Sequence, residues 1–179
     1  MLKRLYWFLG FQYAKFQFKN EIDHVQSLTE FFTGAKSILV ILPIGYEEAI
    51  HASNSLRRFR NRLQHLHLTV IASGTRATSL IDFPKCEVIR LIESDINRFF
   101  LPSKAILQRI CQREFDVAMD LNLDFILHSA YICKASRAKV RIGLVHPKAD
   151  IFFNVQINIT TPRTVQALYE KFAAYLAMF

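Results

Sequence analysis

The chain is 179 residues long, with 23 Lys+Arg against 15 Asp+Glu and a formal net charge of +8. Hydrophobic residues at 51% and charged residues at 21% exclude a disordered chain, and 16 Phe with 6 Tyr against 5 Gly and 5 Pro exclude collagen-like and low-complexity architectures. No apolar run approaches the roughly 20 residues that span a bilayer, and the length suits one domain able to bury its own core.

The first residues are basic and aromatic. Read as a helix, they place Leu2, Leu5, Leu9, Tyr13 and Phe16 on one stripe and Arg4, Lys15 and Lys19 on another side, while Trp7, Phe8 and Phe11 widen the apolar part. The apolar run is short and no small-residue cleavage pattern follows it, so it reads as a retained segment and not a signal peptide. Such a helix can lie on an anionic membrane surface, dock on a partner protein or fold back onto its own domain. Leu2, Leu5, Trp7, Phe8, Leu9 and Phe11 are the contact residues for the first two uses. Residues 1–34 are expected to form this helix and its connection, and residues 35–179 the remaining domain.

Residues 37–42 form a continuous apolar run bounded by Lys36 and Pro43, the pattern of a buried parallel strand. A helix over 46–61 follows, with Ala49, Ile50, Leu56 and Phe59 as its apolar residues and arginines near its C-terminus, where cations suit the macrodipole. Strands are predicted over 66–71 and 87–92, with a short helix over 77–81 between them and a polar-aromatic loop over 93–101 after them. A helix over 102–113 has Pro102 near its first turn. A short strand over 116–120, a helix over 125–136 and a strand over 139–143 come next. Residues 152–159 alternate, with Phe153, Val155, Ile157 and Ile159 on one side. Thr161 and Pro162 then have the chemistry of an N-cap and a first helical residue, and Val165, Leu168, Tyr169, Phe172 and Leu176 continue at helical spacing.

Strands alternating with helices predict an α/β domain with a mainly parallel sheet of five to six strands and helices on both faces. Ligands of such sheets sit at the carboxyl ends of the strands, where the strand order reverses. With the first strand central, the loop over 43–48 and the loop after Asp120 are neighbours there.

The chemistry-bearing motifs are mostly missing. Cys86, Cys111 and Cys133 are odd in number and widely spaced, which fits buried thiols in a reducing cytoplasm and neither a disulfide framework nor a zinc site. The loop after the first strand has one glycine, Gly45, where a dinucleotide fingerprint needs several, and no P-loop or nucleophile elbow occurs. His65 and His67 would share one strand face, but two ligands make weak evidence for a metal. No cofactor and no metal are expected. Glu48, at the start of a helix beside the predicted crevice, is the one catalytic candidate, and the helix dipole gives it a structural role as well. Two basic clusters, one with Arg57 and Arg58 and one with Lys139, Arg141 and Lys148, are candidate anion sites or solvated faces. Nucleic acid is not expected, because aromatics other than Phe59 do not interleave with the first cluster.

Two segments carry a resemblance. Ile38-Leu-Val-Ile41, a loop, Glu48-Ala-Ile-His51 and Leu56-Arg-Arg58 resemble the opening of heptosyltransferase-like glycosyltransferases. Phe115-Asp-Val-Ala-Met-Asp-Leu121, a helix and Ala138-Lys-Val-Arg-Ile-Gly143 resemble that family's middle strand–helix–strand unit. The resemblance covers about residues 37–145. It implies a single Rossmann-like three-layer domain equivalent to the family's first half, which binds the acceptor, while a second, facing half binds the nucleotide-sugar donor. The family's first loop carries a Gly-Asp pair whose Asp is the base; here the positions read Glu47-Glu48. Its Gln-Gly turn after the middle strand reads Asn122-Leu123. Over its whole length the chain resembles small single-domain proteins of Bacteroidetes-type bacteria, which share the basic-aromatic N-terminal helix, the strand with Phe115, Asp116 and Asp120, and the final helix.

One lobe without the donor lobe implies a non-catalytic binding or assembly subunit, in the cytoplasm, at the inner face of the membrane or within a larger complex. The alternative is the acceptor-binding half of a glycosyltransferase that works with a separate donor-binding chain, with Glu48 as base and Lys139 to Lys148 holding acceptor phosphates.

Overall fold

The computed structural model describes residues 2–21, 34–60, 65–82, 86–159 and 164–176. In chain order the elements are α1 (Leu2–Gln17), β1 (Ser37–Ile41), α2 (Tyr46–Arg60), β2 (His67–Ser73), α3 (Gly74–Thr78), β3 (Cys86–Leu91), α4 (Lys104–Cys111), β4 (Val117–Asp120), α5 (Leu127–Ala135), β5 (Val140–Leu144), β6 (Val155–Ile157) and α6 (Val165–Leu176).

The apolar runs become neighbouring strands of one sheet, in the order β3-β2-β1-β4-β5-β6. Every pairing is parallel, and β1 is central, with Ile38 opposite Leu68 on one side and Val117 on the other. Strand pleating sends successive side chains to opposite faces, and two apolar layers result. Ile38, Val40, Leu68, Val70, Val117 and Met119 pack under α2, α3 and α6. Leu39, Ile41, Ile71, Ile89 and Ala118 pack under α1, α4 and α5. The domain is therefore a three-layer Rossmann-like fold with α1 added to one face.

Local chemistry moves several boundaries. The fourth helix starts at Lys104 and not at Pro102, because Ser103 is its N-cap and its hydroxyl accepts from the Ile106 amide at 3.4 Å. Pro102 instead lies in a bridge opposite Ile96. The short helix begins earlier than predicted, at Gly74, whose φ of +73° only glycine adopts without strain. The last strand spans only Val155–Ile157. Phe152 and Phe153 belong to a turn closed by their amides on the Ala149 carbonyl, at 2.9 and 3.0 Å. Phe153 consequently joins the α1/α4/α5 layer while Val155, Ile157 and Ile159 join the other, so the predicted single-sided alternation stops at the turn. Residues 61 and 160–163, which include the predicted cap Thr161 and Pro162, lie outside the described residues. The final helix opens where the Thr164 hydroxyl accepts from the Ala167 amide at 3.2 Å. No helix among the described residues is long and apolar enough to cross a membrane.

Candidate functional site

The strand order reverses between β1 and β4, so the loops leaving these two strands diverge and open a crevice at the carboxyl edge. One side chain ties the two loops together. Asn122 accepts from the Ile44 amide at 3.0 Å, across 78 residues of sequence. Its amide nitrogen donates to Asp120 Oδ1 at 2.6 Å and to Ser129 Oγ at 3.3 Å, and its backbone amide donates to the same Asp120 oxygen at 3.0 Å. From the far face, the buried Tyr169 hydroxyl on α6 donates to the Leu121 carbonyl at 2.8 Å.

Asp120 ends β4 and is almost wholly buried. Burial pushes its carboxyl up to about 7, against the opposing pull of the two Asn122 donors. Glu48 stands in the first turn of α2, half-buried. Burial first, and then the charge of Asp124, raise its carboxyl above the ordinary range. The helix runs from the crevice, and a first-turn carboxylate faces its positive end. His146, just past β5, stacks on Phe125 at 5.0 Å and accepts from the Lys148 amide through Nδ1 at 3.2 Å. Burial and Lys148 lower its pKa while Asp124 opposes. Asp120, Asn122, Asp124, Phe125 and His146 line one narrow cleft. The arrangement holds one accessible acid with raised proton affinity, Glu48, beside a buried acid and an amide that fix the loop shapes. Such a carboxylate can take a proton from a bound hydroxyl.

The basic candidates are dispersed. Arg57 and Arg58 lie late in α2, some 9–10 residues beyond Glu48 and so roughly 14 Å along the helix axis. Arg58 pairs with Glu170 on α6 at 3.0 Å, at the wall of a surface cavity of about 450 Å³ that His51, Asn54 and Gln166 also line. Lys139 precedes β5 at the opposite, amino edge of the sheet, where its Nζ is 3.6 Å from Asp116. Arg141 is buried: its guanidinium donates to the Phe152 carbonyl at 2.9 Å and the Ala138 carbonyl at 2.7 Å. The turn that carries Phe152 covers it, so it shares no solvent face with Lys139 and Lys148. Lys148 lies beyond the carboxyl end of β5 and sits over the Trp7 ring at 4.9 Å. Trp7 and Phe11 pack inward on Phe125, whereas Leu2, Leu5, Phe8 and Leu9 are exposed.

Sequence reasoning marked the crevice loops and Glu48 but missed Asn122, Ser129 and Tyr169 as its supports. An Asx residue two positions after a strand-terminal Asp signals a turn closed by side-chain hydrogen bonds, and Asn122 has that spacing. Tyr169 carries no comparable signal, because its spacing on α6 is that of a core residue. Among the described residues no group of three His, Cys, Asp or Glu side chains could hold a metal ion.

No protein-family model and no curated protein matches the sequence. Solved structures do match in fold. A glycosyl transferase of family 9 from Veillonella parvula superposes with a TM-score of 0.66 at 16% identity, covering 80% of this chain and 42% of that one. The E. coli heptosyltransferase WaaC with ADP superposes with a TM-score of 0.59 at 12% identity, covering 78% of this chain and 46% of that one. This chain thus spans less than half the length of either protein. It has the fold of one half of a heptosyltransferase or family 9 glycosyltransferase.

Proposed function

We propose that these residues are the acceptor-binding half of a glycosyltransferase and work with a donor-binding half. The observation that carries this reading is the crevice at the strand-order reversal, with Glu48 at its mouth, in a chain matching less than half of the heptosyltransferase and family 9 glycosyltransferase structures. In it Glu48 takes the proton from an acceptor hydroxyl as that oxygen bonds to the donor's anomeric carbon and the nucleotide leaves. Asp120 and Asn122 position the two loops and touch neither reactant. The acceptor is a hydroxyl-bearing glycan, and Lys148, at the same edge, is the basic candidate placed to meet a phosphate on it.

The test is genetic. Deletion of the gene in its source organism is expected to shorten a glycan, the native gene to restore it, and Glu48→Gln to fail while accumulating at the native level. An unchanged glycan in the deletion strain, or full restoration by Glu48→Gln, sinks the reading. The second reading, a binding or assembly subunit without chemistry, is favoured by the exposed apolar face of α1, and the latter outcome would select it.

A further inference from the structure

The first helix has two apolar faces. Trp7, Gly10, Phe11 and Ala14 belong to the inward one, and Phe18, just past the helix end, joins the same cluster. Gly10 lies so near the loop before α4 that a Cβ there would collide with the Phe99 carbonyl. Trp7 stacks on Phe11 at 5.4 Å, and Phe18 packs on Tyr131 of α5 at 4.9 Å. Just past the helix, Glu21 pairs at 3.4 Å with the buried Lys134. The helix is thus seated on the domain, and its other side is held outward.

That other side is also apolar. Leu2, Leu5, Leu9, Tyr13 and Phe16 are 67%, 51%, 44%, 54% and 78% exposed. Their spacing puts them on one stripe opposite the seated face, where an ordinary surface helix is polar. The stripe continues into a groove of about 710 Å³ between Leu9 and Tyr13 on one wall and Phe99, Pro102 and Leu107 on the other. The helix carries no acidic residue, and its Lys3 on one flank and Arg4 and Lys15 on the other lie roughly 120–140° round from the stripe. Arg98, over the rings of Tyr6 and Phe99 at 5.9 and 5.2 Å, and Lys104 add cations at the groove.

We propose that the outward face of α1 is a membrane-surface contact, on which the helix lies in the interface of an anionic bilayer. The stripe sits among the acyl chains while Lys3, Arg4 and Lys15 reach the phosphate level along their methylene stems. Charge decides for this occupant: flanks with cations alone fit a continuous anionic surface. The inference does not rest on glycosyl transfer.

The test is co-sedimentation of the full chain with vesicles of phosphatidylglycerol and phosphatidylethanolamine, and with phosphatidylcholine alone. Binding is expected to the anionic vesicles and to weaken with added salt. Leu5→Asp with Phe16→Asp is expected to lower partitioning at least about tenfold. Lys3→Glu with Lys15→Glu is expected to abolish the preference for anionic lipid. Trp7 is the only tryptophan, so unchanged emission from it certifies that α1 is still seated in each variant. Absent binding to anionic vesicles, or equal binding by the Leu5→Asp, Phe16→Asp variant, overturns the proposal. So does a dimer that this variant dissociates while vesicles stay bare, which would assign the face to a second copy of the chain.

Discussion

Asp116 and Asp120 flank and end the same strand, β4, and titrate in opposite directions. At the amino edge, Asp116 accepts from the Lys36 amide at 2.8 Å, the Ser37 amide at 3.1 Å and the Ser37 hydroxyl at 3.1 Å. Partial burial works against its ionised form, but these donors and the Lys139 charge prevail and hold its carboxyl below the ordinary range. It clasps β1 to β4. At the carboxyl edge, Asp120 is nearly sealed from water, and its proton affinity rises to about 7. The difference teaches where this fold leaves charge uncompensated: one edge uses its acid to close the sheet, the other keeps an acid poised near neutrality beside the crevice.

The sharpest way to break the comparison is pH-dependent stability. For Asp120 the native state keeps a proton that the unfolded chain releases near 3.8, so its contribution to stability falls as pH rises from about 4 to about 7. His128, which burial lowers from 6.5 to about 4, works the other way. The native state refuses a proton that the unfolded chain takes up, so stability rises with pH across that window. The two slopes oppose each other in the native chain. Urea unfolding from pH 4.5 to 6.5 is expected to show a rising slope in Asp120→Asn relative to native and a falling one in His128→Gln, each change approaching about 1.4 kcal/mol per pH unit at most. A slope in Asp120→Asn no different from native would end the contrast between the edges.

Asp116→Ala comes next, at about 2 kcal/mol near pH 7, since it leaves the partly buried Ser37 amide and hydroxyl without their acceptor and removes that of the Lys36 amide. Its pKa is lowered in the native state, so this cost belongs to pH values above the unfolded 3.8 and shrinks as the native carboxylate is protonated at lower pH. Denaturant midpoints at pH 7 and pH 3 measure both halves of the statement. Asn122→Ala has the smallest expected cost, about 1–2 kcal/mol, from orphaning the Ile44 amide and depriving the Asp120 carboxyl of one donor. A cost below that of an exposed substitution would mean that the crevice loops hold their shape without the stitch.

Much of the fold was legible because buried parallel strands read as unbroken apolar runs. The runs ending at Leu42 and Asp120 were enough to place the crevice loops side by side, as the Asn122–Ile44 bond confirms. What escaped depended on contacts distant in sequence. Arg141 looked like a surface cation, yet carbonyls at Ala138 and Phe152 satisfy it inside the sheet. Gly143, on the same strand face, leaves room for the Phe153 ring, which a Cβ would meet at 2.7 Å. Neither relation has a local signature, since each needs the turn at Ala149 to bring Phe152 and Phe153 back onto β5. Helix starts failed for a smaller reason: Ser103 outcompetes Pro102 for the boundary by supplying an acceptor that proline lacks.

The seating of Gly10 against Phe99 has a consequence for how α1 can change. A helix advances about 100° per residue, so inserting or deleting one residue between Leu9 and Gly10 would rotate every side chain N-terminal to the join by that angle. Leu2, Leu5 and Leu9 would swing out of line with Tyr13 and Phe16, and the stripe would split into two half-stripes pointing different ways. The outward face is therefore phased by the inward contacts of Trp7, Gly10 and Phe11, and the helix cannot gain or lose a residue in its middle without splitting that face.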